Sequence, residues 1–171
     1  MDGVSAAAAS SGPFARLPDQ TGFVVDDLEA AVALWSTVLG IKGWVGFRYD
    51  SAYVPHRTFR GHPQNDSVTR NAVSEGGRIG LVQPVEGRSL FAEALESRGP
   101  GLHHLSYFVS SLEPGRRRLL AHDFSEVMTG SGHGLDGDGA YAYFESAVPI
   151  GFYIQLVVPP HRRAAPHFTF P

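Results

Sequence analysis

Apolar and polar positions along the chain follow two rhythms, alternation by twos and stripes by threes and fours, and the same succession of rhythms occurs twice. A short apolar run predicts a strand over 20–25. A helix follows over 28–39, with Asp26 or Asp27 as its N-cap, an apolar stripe of Leu28, Val32, Leu34, Trp35 and Leu39, and Gly40 as its stop. Residues 44–49 predict a strand, 50–66 a polar loop holding His56, Arg57, Arg60 and His62, and 68–74 and 78–82 two more strands joined by the turn Glu75-Gly76-Gly77. A helix over 89–97 ends at Arg98-Gly99-Pro100-Gly101. The order then restarts with a strand over 104–109, a helix over 112–122 and strands near 124–128, 140–145 and 152–158. Each half reads β-α-β-β-β.

The residues themselves repeat. Gln20-Thr21-Gly22-Phe23-Val24-Val25-Asp26-Asp27-Leu28-Glu29 is answered by His104-Leu105-Ser106-Tyr107-Phe108-Val109-Ser110-Ser111-Leu112-Glu113, an offset of 84 that runs from position 20 to position 104. Ile79-Gly80-Leu81-Val82-Gln83-Pro84 returns as Ile154-Gln155-Leu156-Val157-Val158-Pro159, an offset of 75 from position 79 to position 154. Repetition on this scale fixes an architecture rather than one element of it. The expected fold class is α+β, with two βαβββ modules in one chain. Module one spans 18–97 and module two 98–160 of a single domain. Residues 1–17, rich in Ala and Ser, form a flexible N-terminal tail. A C-terminal tail over 161–171, with Arg162, Arg163, Phe168 and Phe170, is left to pack over the domain or against a partner subunit.

Composition narrows the chemistry. With 171 residues, 43% of them hydrophobic, the chain buries a proper core unaided. Having no cysteine, it cannot use disulfides, thiolate metal sites or a cysteine nucleophile. A net charge of −3 gives no footprint for nucleic acid. No apolar segment approaches a membrane span, and the alanine run near the start lacks the basic residues of a signal peptide. A cytoplasmic protein acting on a small molecule is the expectation.

The opening Gln20-x-Gly22-Phe23-Val24-Val25-x-Asp27-Leu28-Glu29, the helix end Leu39-Gly40, the junction Gly101-Leu102-His103-His104 and the strands ending in Pro84 and Pro159 resemble the vicinal oxygen chelate superfamily. That superfamily includes glyoxalase, methylmalonyl-CoA epimerase, extradiol dioxygenases and bleomycin-resistance proteins, and the likeness is strongest to its glyoxalase and epimerase branch. The resemblance covers roughly 18–159. It implies that the modules lie edge to edge as one curved mixed sheet, a cup with helices outside, and that the molecule is a homodimer. It also implies metal ligands on the first and last strand of each module, positions that fall here on Gln20, Gly80, His104 and Gln155. His104 is the match rather than His103, because it aligns with Gln20, and strand alternation then sends His103 to the helix side. The family's pattern is Gln or His, Glu, His, Glu. Here the second position has no side chain and the fourth is a neutral amide, so no anionic ligand offsets dehydration of a cation. No cofactor is therefore expected; the alternative is a divalent Zn, Ni, Mn, Fe or Co ion.

In the strand ahead of 145, Tyr141, Tyr143 and Glu145 share one face, opposite Ala140, Ala142 and Phe144. His104, Glu145 and Tyr143 are then the candidate acid–base residues, and Gln20, Gln155, Tyr141, Trp44 and Phe47 the candidate substrate contacts. The glycine-rich stretch 130–139, with His133, reads as a lid, and the loop histidines and arginines either close over a ligand, bind its anionic group or face water. Three functions remain open. The chain is a metal-independent isomerase or lyase acting on an oxygen-rich small molecule of the kind found in secondary metabolism. Or it is a metal-dependent lyase or epimerase that recruits Glu145. Or it is a resistance-type binder that holds an aromatic compound against Trp44, Phe47, Tyr141 and Tyr143.

Overall fold

Two copies of one unit meet at the centre of a single curled sheet. The computed structural model describes residues 12–170. Module one supplies β1 (Gln20–Val24), α1 (Leu28–Leu39), β2 (Val45–Tyr49), β3 (His56–Phe59), β4 (His62–Pro63), β5 (Val68–Val73), β6 (Ile79–Glu86) and the connecting helix α2 (Leu90–Arg98). Module two supplies β7 (Gly101–Phe108), α3 (Leu112–Leu120), β8 (Phe124–His133), β9 (Gly139–Ser146) and β10 (Tyr153–Val158), and the tail adds β11 (Phe168–Thr169). Along the sheet the order is β11-β2-β5-β6-β1-β7-β10-β9-β8-β3-β4. The central strands β1 and β7 pair antiparallel, and each has a parallel neighbour on its other side, β6 and β10 respectively. A pseudo-twofold axis between β1 and β7 therefore relates the modules, and it sets Gln20 opposite Ser106 and Gly22 opposite His104. This is the α+β cup that the resemblance implies.

The helices form where capping and periodicity agree. The Asp27 carboxylate accepts from Ala30 N at 2.9 Å, and Gly40 closes α1 in the left-handed conformation at φ 67°. Leu28 and Val32 are buried, and Trp35 meets Phe23 edge to face at 4.8 Å. Leu34, expected in the same stripe, is exposed because a 3.6-residue period from Leu28 passes through Ala31, Val32 and Trp35 instead, and Leu39, though at the stripe's angle, is exposed as the last residue of the helix. α1 and α3 each cover the outer face of their module, over cores built around Leu81 and Phe144. α2 lies across one end of the cup, where Leu90, Phe91 and Ala94 pack with Val24, Val82 and Tyr143. No helix among the described residues is long and apolar enough to cross a membrane.

The segment expected as a loop over 50–66 contains β3 and β4, and β3 crosses to extend the outer edge of module two beside β8. The tail does the converse: it returns from module two, and β11 pairs with β2 at the outer edge of module one. Each module's extension thus covers the other's open edge, where unpaired backbone groups would be exposed. Four-residue and two-residue strands with little apolar alternation carry no periodic signal of their own, so the pairing is decided by the edge they meet. Within the expected N-terminal tail, residues 1–11 lie outside the described residues, while Phe14 sets its ring 5.0 Å from Tyr107.

Candidate active site

The cup encloses a cavity of about 560 Å³, lined from module one by Gln20, Phe47 and Gly80 and from module two by His104, Tyr141, Tyr143 and Gln155. The four positions that the resemblance singled out all face it. Around the pseudo-twofold axis their local fates diverge. The Gln20 carboxamide donates to Gly77 O at 2.8 Å and lies across Gly80, whose missing side chain leaves it room: a Cβ there would stand 3.0 Å from Gln20 Oε1. On the other side the imidazole of His104 lies flat over Gly22, where a Cβ would stand 2.0 Å from the ring. Gln155 is held by Ser106, whose hydroxyl donates to Gln155 Oε1.

His103 and His104 act as a pair. The register between β1 and β7 slips between Gly22 and Phe23, so that His103 is the extra residue of a β-bulge. Alternation is interrupted there, and the fully buried His103 ring packs against α2, 4.5 Å from Phe91, with Tyr153 at 5.0 Å and Tyr143 at 6.3 Å, behind the residues that line the cavity. The two Nδ1 atoms are 3.0 Å apart, so one donates and the other accepts. That single shared proton gives the two rings opposite tautomers. Nδ1 of His104 is engaged with its neighbour, and Nε2 is left for the cavity that the ring lines. Burial pushes His103 down to about 3, the Leu90 carbonyl offsetting it only in part, and holds His104 well below the usual histidine range with the adjacent His103 adding to the effect. Both imidazoles are neutral at pH 7.

Tyr143 stands over the pair, its ring 5.2 Å from that of His104. Burial, then the neighbouring phenols of Tyr141 and Tyr49, raise Tyr143 well above the ordinary tyrosine value, and burial raises Tyr141 to about 12. Each phenol is thus a hydrogen-bond donor rather than a base at neutral pH.

The floor does not suit a divalent cation. Its donors are one imidazole and two carboxamides; the Gln155 oxygen already accepts from Ser106, and the position that should bring a carboxylate is Gly80. No group of three His, Cys, Asp or Glu side chains among the described residues could hold a metal ion. With no negative charge to replace the ion's hydration, the residues present do not fit one.

Several expected site residues lie elsewhere. Trp44 is buried on the outer face under α1 with Leu28, Val32 and Leu81, and its Nε1–H donates to Ser36 Oγ at 3.1 Å and Ile41 O at 3.2 Å. It precedes β2 and packs on the side opposite Phe47, so it is a core residue, not a ligand contact. Glu145 keeps the face expected of it but sits beyond the cavity at the rim, half-exposed and 3.6 Å from Arg60, whose guanidinium also binds Glu93. Among the loop residues, His56 and His62 are exposed, while Arg57 is buried and lines the cavity. The stretch 130–139 is the end of one strand, a tight turn and the start of the next, tied to the tail by the Arg162–Asp136 and His161–Asp138 pairs; it is not a free lid. Ser106, Gly22 and the bulged His103 were not singled out from the sequence. Ser106 and Gly22 were legible as repeat partners, but the bulge had no signal.

The fold and this floor define a class, and comparison with known proteins agrees. A family model of the glyoxalase/bleomycin resistance protein/dioxygenase superfamily matches residues 19–144, and the chain belongs to that superfamily. No curated protein is similar enough in sequence to be matched. Among solved structures, methylmalonyl-CoA epimerase from Mycobacterium tuberculosis is 23% identical with a TM-score of 0.54, covering 84% of this chain and 87% of its own. A hypothetical protein from Bacillus halodurans is 15% identical at a TM-score of 0.58, covering 86% of this chain and 96% of its own. A mutant 4-hydroxymandelate synthase from Streptomyces coelicolor is 13% identical at 0.59, with 88% of this chain matching 50% of that longer one. At these identities the likeness establishes the fold.

Proposed function

We propose that this chain is a metal-independent acid–base enzyme of the isomerase or lyase class, acting on an oxygen-bearing small molecule inside the cup. The observation that carries the reading is the neutral His103–His104 pair, buried beneath Tyr143 with one imidazole nitrogen left for the cavity. A C–H beside a carbonyl loses its proton to His104 Nε2 in the tautomer whose Nδ1–H points at His103, and the charge formed on the ring is shared through that Nδ1 contact. The electron pair moves onto the carbonyl oxygen, which accepts from the Tyr143 hydroxyl. Returning the proton from His104 to a neighbouring atom on the same face isomerises the substrate, whereas loss of a neighbouring leaving group that takes up that proton eliminates it. Gln155, pinned by Ser106, orients the oxygen. Burial lowers the basicity of the imidazole, and the anion that forms beside it offsets this by favouring the charged ring. An epimerase among the structures of this fold is in keeping with such chemistry.

Ligand-induced thermal stabilisation can screen carbonyl-bearing compounds for the substrate, and exchange of its acidic C–H in D2O then reports proton transfer directly. His104→Ala should slow exchange by roughly two to four orders of magnitude while affinity changes much less. Full exchange in that variant would end the reading. Elemental analysis of protein purified without chelator should find well under one equivalent of divalent metal; one equivalent lost with His104→Ala would do the same. The aromatic lining of Phe47, Tyr49 and Tyr53 favours, as a second reading, a resistance-type binder, in which His104→Ala alters only affinity and no compound is turned over.

A further inference from the structure

A buried charge remains that the proton-transfer reading does not use. Arg57, on β3, is only 7% exposed, and its Nη1 donates to Ser67 O at 2.7 Å and Ser67 Oγ at 3.2 Å. Its Nε and Nη2 are buried without any hydrogen-bond partner, and no carboxylate pairs with it among the described residues. A desolvated guanidinium with no counter-ion is costly to hold in a folded protein. The two idle nitrogens are not a random pair. Nε–H and one Nη–H form the side edge of the guanidinium fork, two parallel donors spaced to meet both oxygens of a planar anion.

The surroundings put Arg57 at the cavity wall. Arg57 stands opposite Gly130 of β8, which in turn stands opposite Tyr141 of β9. Gly130 leaves space for the Tyr141 ring to lie over it; a Cβ there would stand 2.2 Å from that ring. Arg57, Tyr141 and His133 all line the cavity, as does Arg163 from the tail, against the single carboxylate of Glu75. From Tyr141 the cavity wall runs on to Tyr143, ring to ring 5.8 Å, and from Tyr143 to His104, 5.2 Å. An anion on Arg57 is thus two ring steps away from the reacting imidazole.

We infer that Arg57 is the anchor for a ligand carboxylate, and that the natural substrate is a ring-bearing carboxylic acid whose acid group is a handle remote from the carbon that reacts. The inference rests on the reading of the cup as the substrate site. It deepens that reading by naming the substrate class. A planar carboxylate fills both idle donors at once and neutralises the buried charge, while Phe47, Tyr49 and Tyr53 supply apolar faces for the ring between handle and reacting carbon.

The test uses the full chain with benzoate, benzamide and inorganic phosphate as probes, followed by thermal stabilisation and by the Arg57 Nε–H resonance in 15N NMR. Benzoate should bind at least about tenfold more tightly than benzamide, the worth of one charge-assisted hydrogen bond, and should move that resonance. Arg57→Lys keeps the charge and loses the fork, so a folded variant should bind benzoate about tenfold more weakly. If the lysine variant does not fold, the wild-type preference and the resonance decide. Equal affinity for benzoate and benzamide, preference for phosphate over benzoate, or an unmoved Nε–H resonance each overturns the inference. These readouts are independent of turnover. Benzoate seated on Arg57 in a protein whose His104→Ala variant keeps full activity would sink the proton-transfer reading and leave this one standing, and the reverse result would separate them the other way.

Discussion

The two modules place the same backbone positions around one axis, and opposite side chains grow from them. Gln20, Gly22 and Gly80 in module one correspond by the repeat to His104, Ser106 and Gln155 in module two. Module one lends a carboxamide that folds back on its own turn and two glycines that make room. Module two fills that room with a titratable ring, ties its amide to a serine and covers both with buried phenols. Duplication supplies the cup, and the departure from symmetry supplies the titratable groups within it. The glycines are part of that departure, since Gly22 is what lets the His104 imidazole lie flat across the module boundary.

Acid should strike module two hardest. His103 moves from 6.5 in the unfolded chain to about 3 in the fold, so between those values the unfolded state holds a proton that the native state lacks. Stability is complete above that window and falls as pH drops through it, by about 1.4 kcal/mol per pH unit for this group, and the depressed His104 adds with the same sign. Denaturant midpoints measured from neutral to acid pH check this, and His103→Phe should flatten the profile. Next, Gly22→Ala pushes a methyl into the His104 ring and should cost about 3 kcal/mol, whereas Gly80→Ala meets only the movable end of Gln20 and should cost under about 1 kcal/mol, as chemical denaturation will show. Within module one, Trp44→Phe should lose about 1 kcal/mol of stability through its two hydrogen bonds and leave ligand affinity alone, while Phe47→Ala, on the cavity side, should weaken ligand binding. Smallest of all, Glu145→Gln removes a half-exposed pairing with Arg60 worth at most about 0.5 kcal/mol and should leave turnover within about twofold.

Much of this was legible in the residues because repetition and alternation are long-range signals. The offset of 84 marked which residues of β1 and β7 are equivalent, and the period of two put Tyr141 and Tyr143 on the inner face. What failed depended on depth or on local irregularity. Alternation assigns a face but not how far along it a side chain reaches, so Glu145 shared the tyrosines' face yet lies at the rim. Trp44 sits just before β2, where no alternation yet applies, and the apolar space under α1 captured it. A bulge breaks the period at one residue without marking the sequence, and it set His103 beside His104 against α2. β3 and β11 are strands too short to carry a pattern, so the burial of Arg57 followed from a pairing that only the folded sheet reveals.

The central claim is that a neutral histidine pair, not a metal, forms the reactive floor of the cup. Nitrogen-15 NMR of histidine-labelled protein tests it most directly, since ring shifts report protonation state, tautomer and metal ligation together. The account predicts that His103 and His104 remain neutral well below the ordinary histidine value of 6.5, one carrying its proton on Nδ1 and the other on Nε2, and that added Zn²⁺ leaves both unmoved. Titration of either ring near 6.5, or a shift of His104 Nε2 on stoichiometric Zn²⁺, would contradict it.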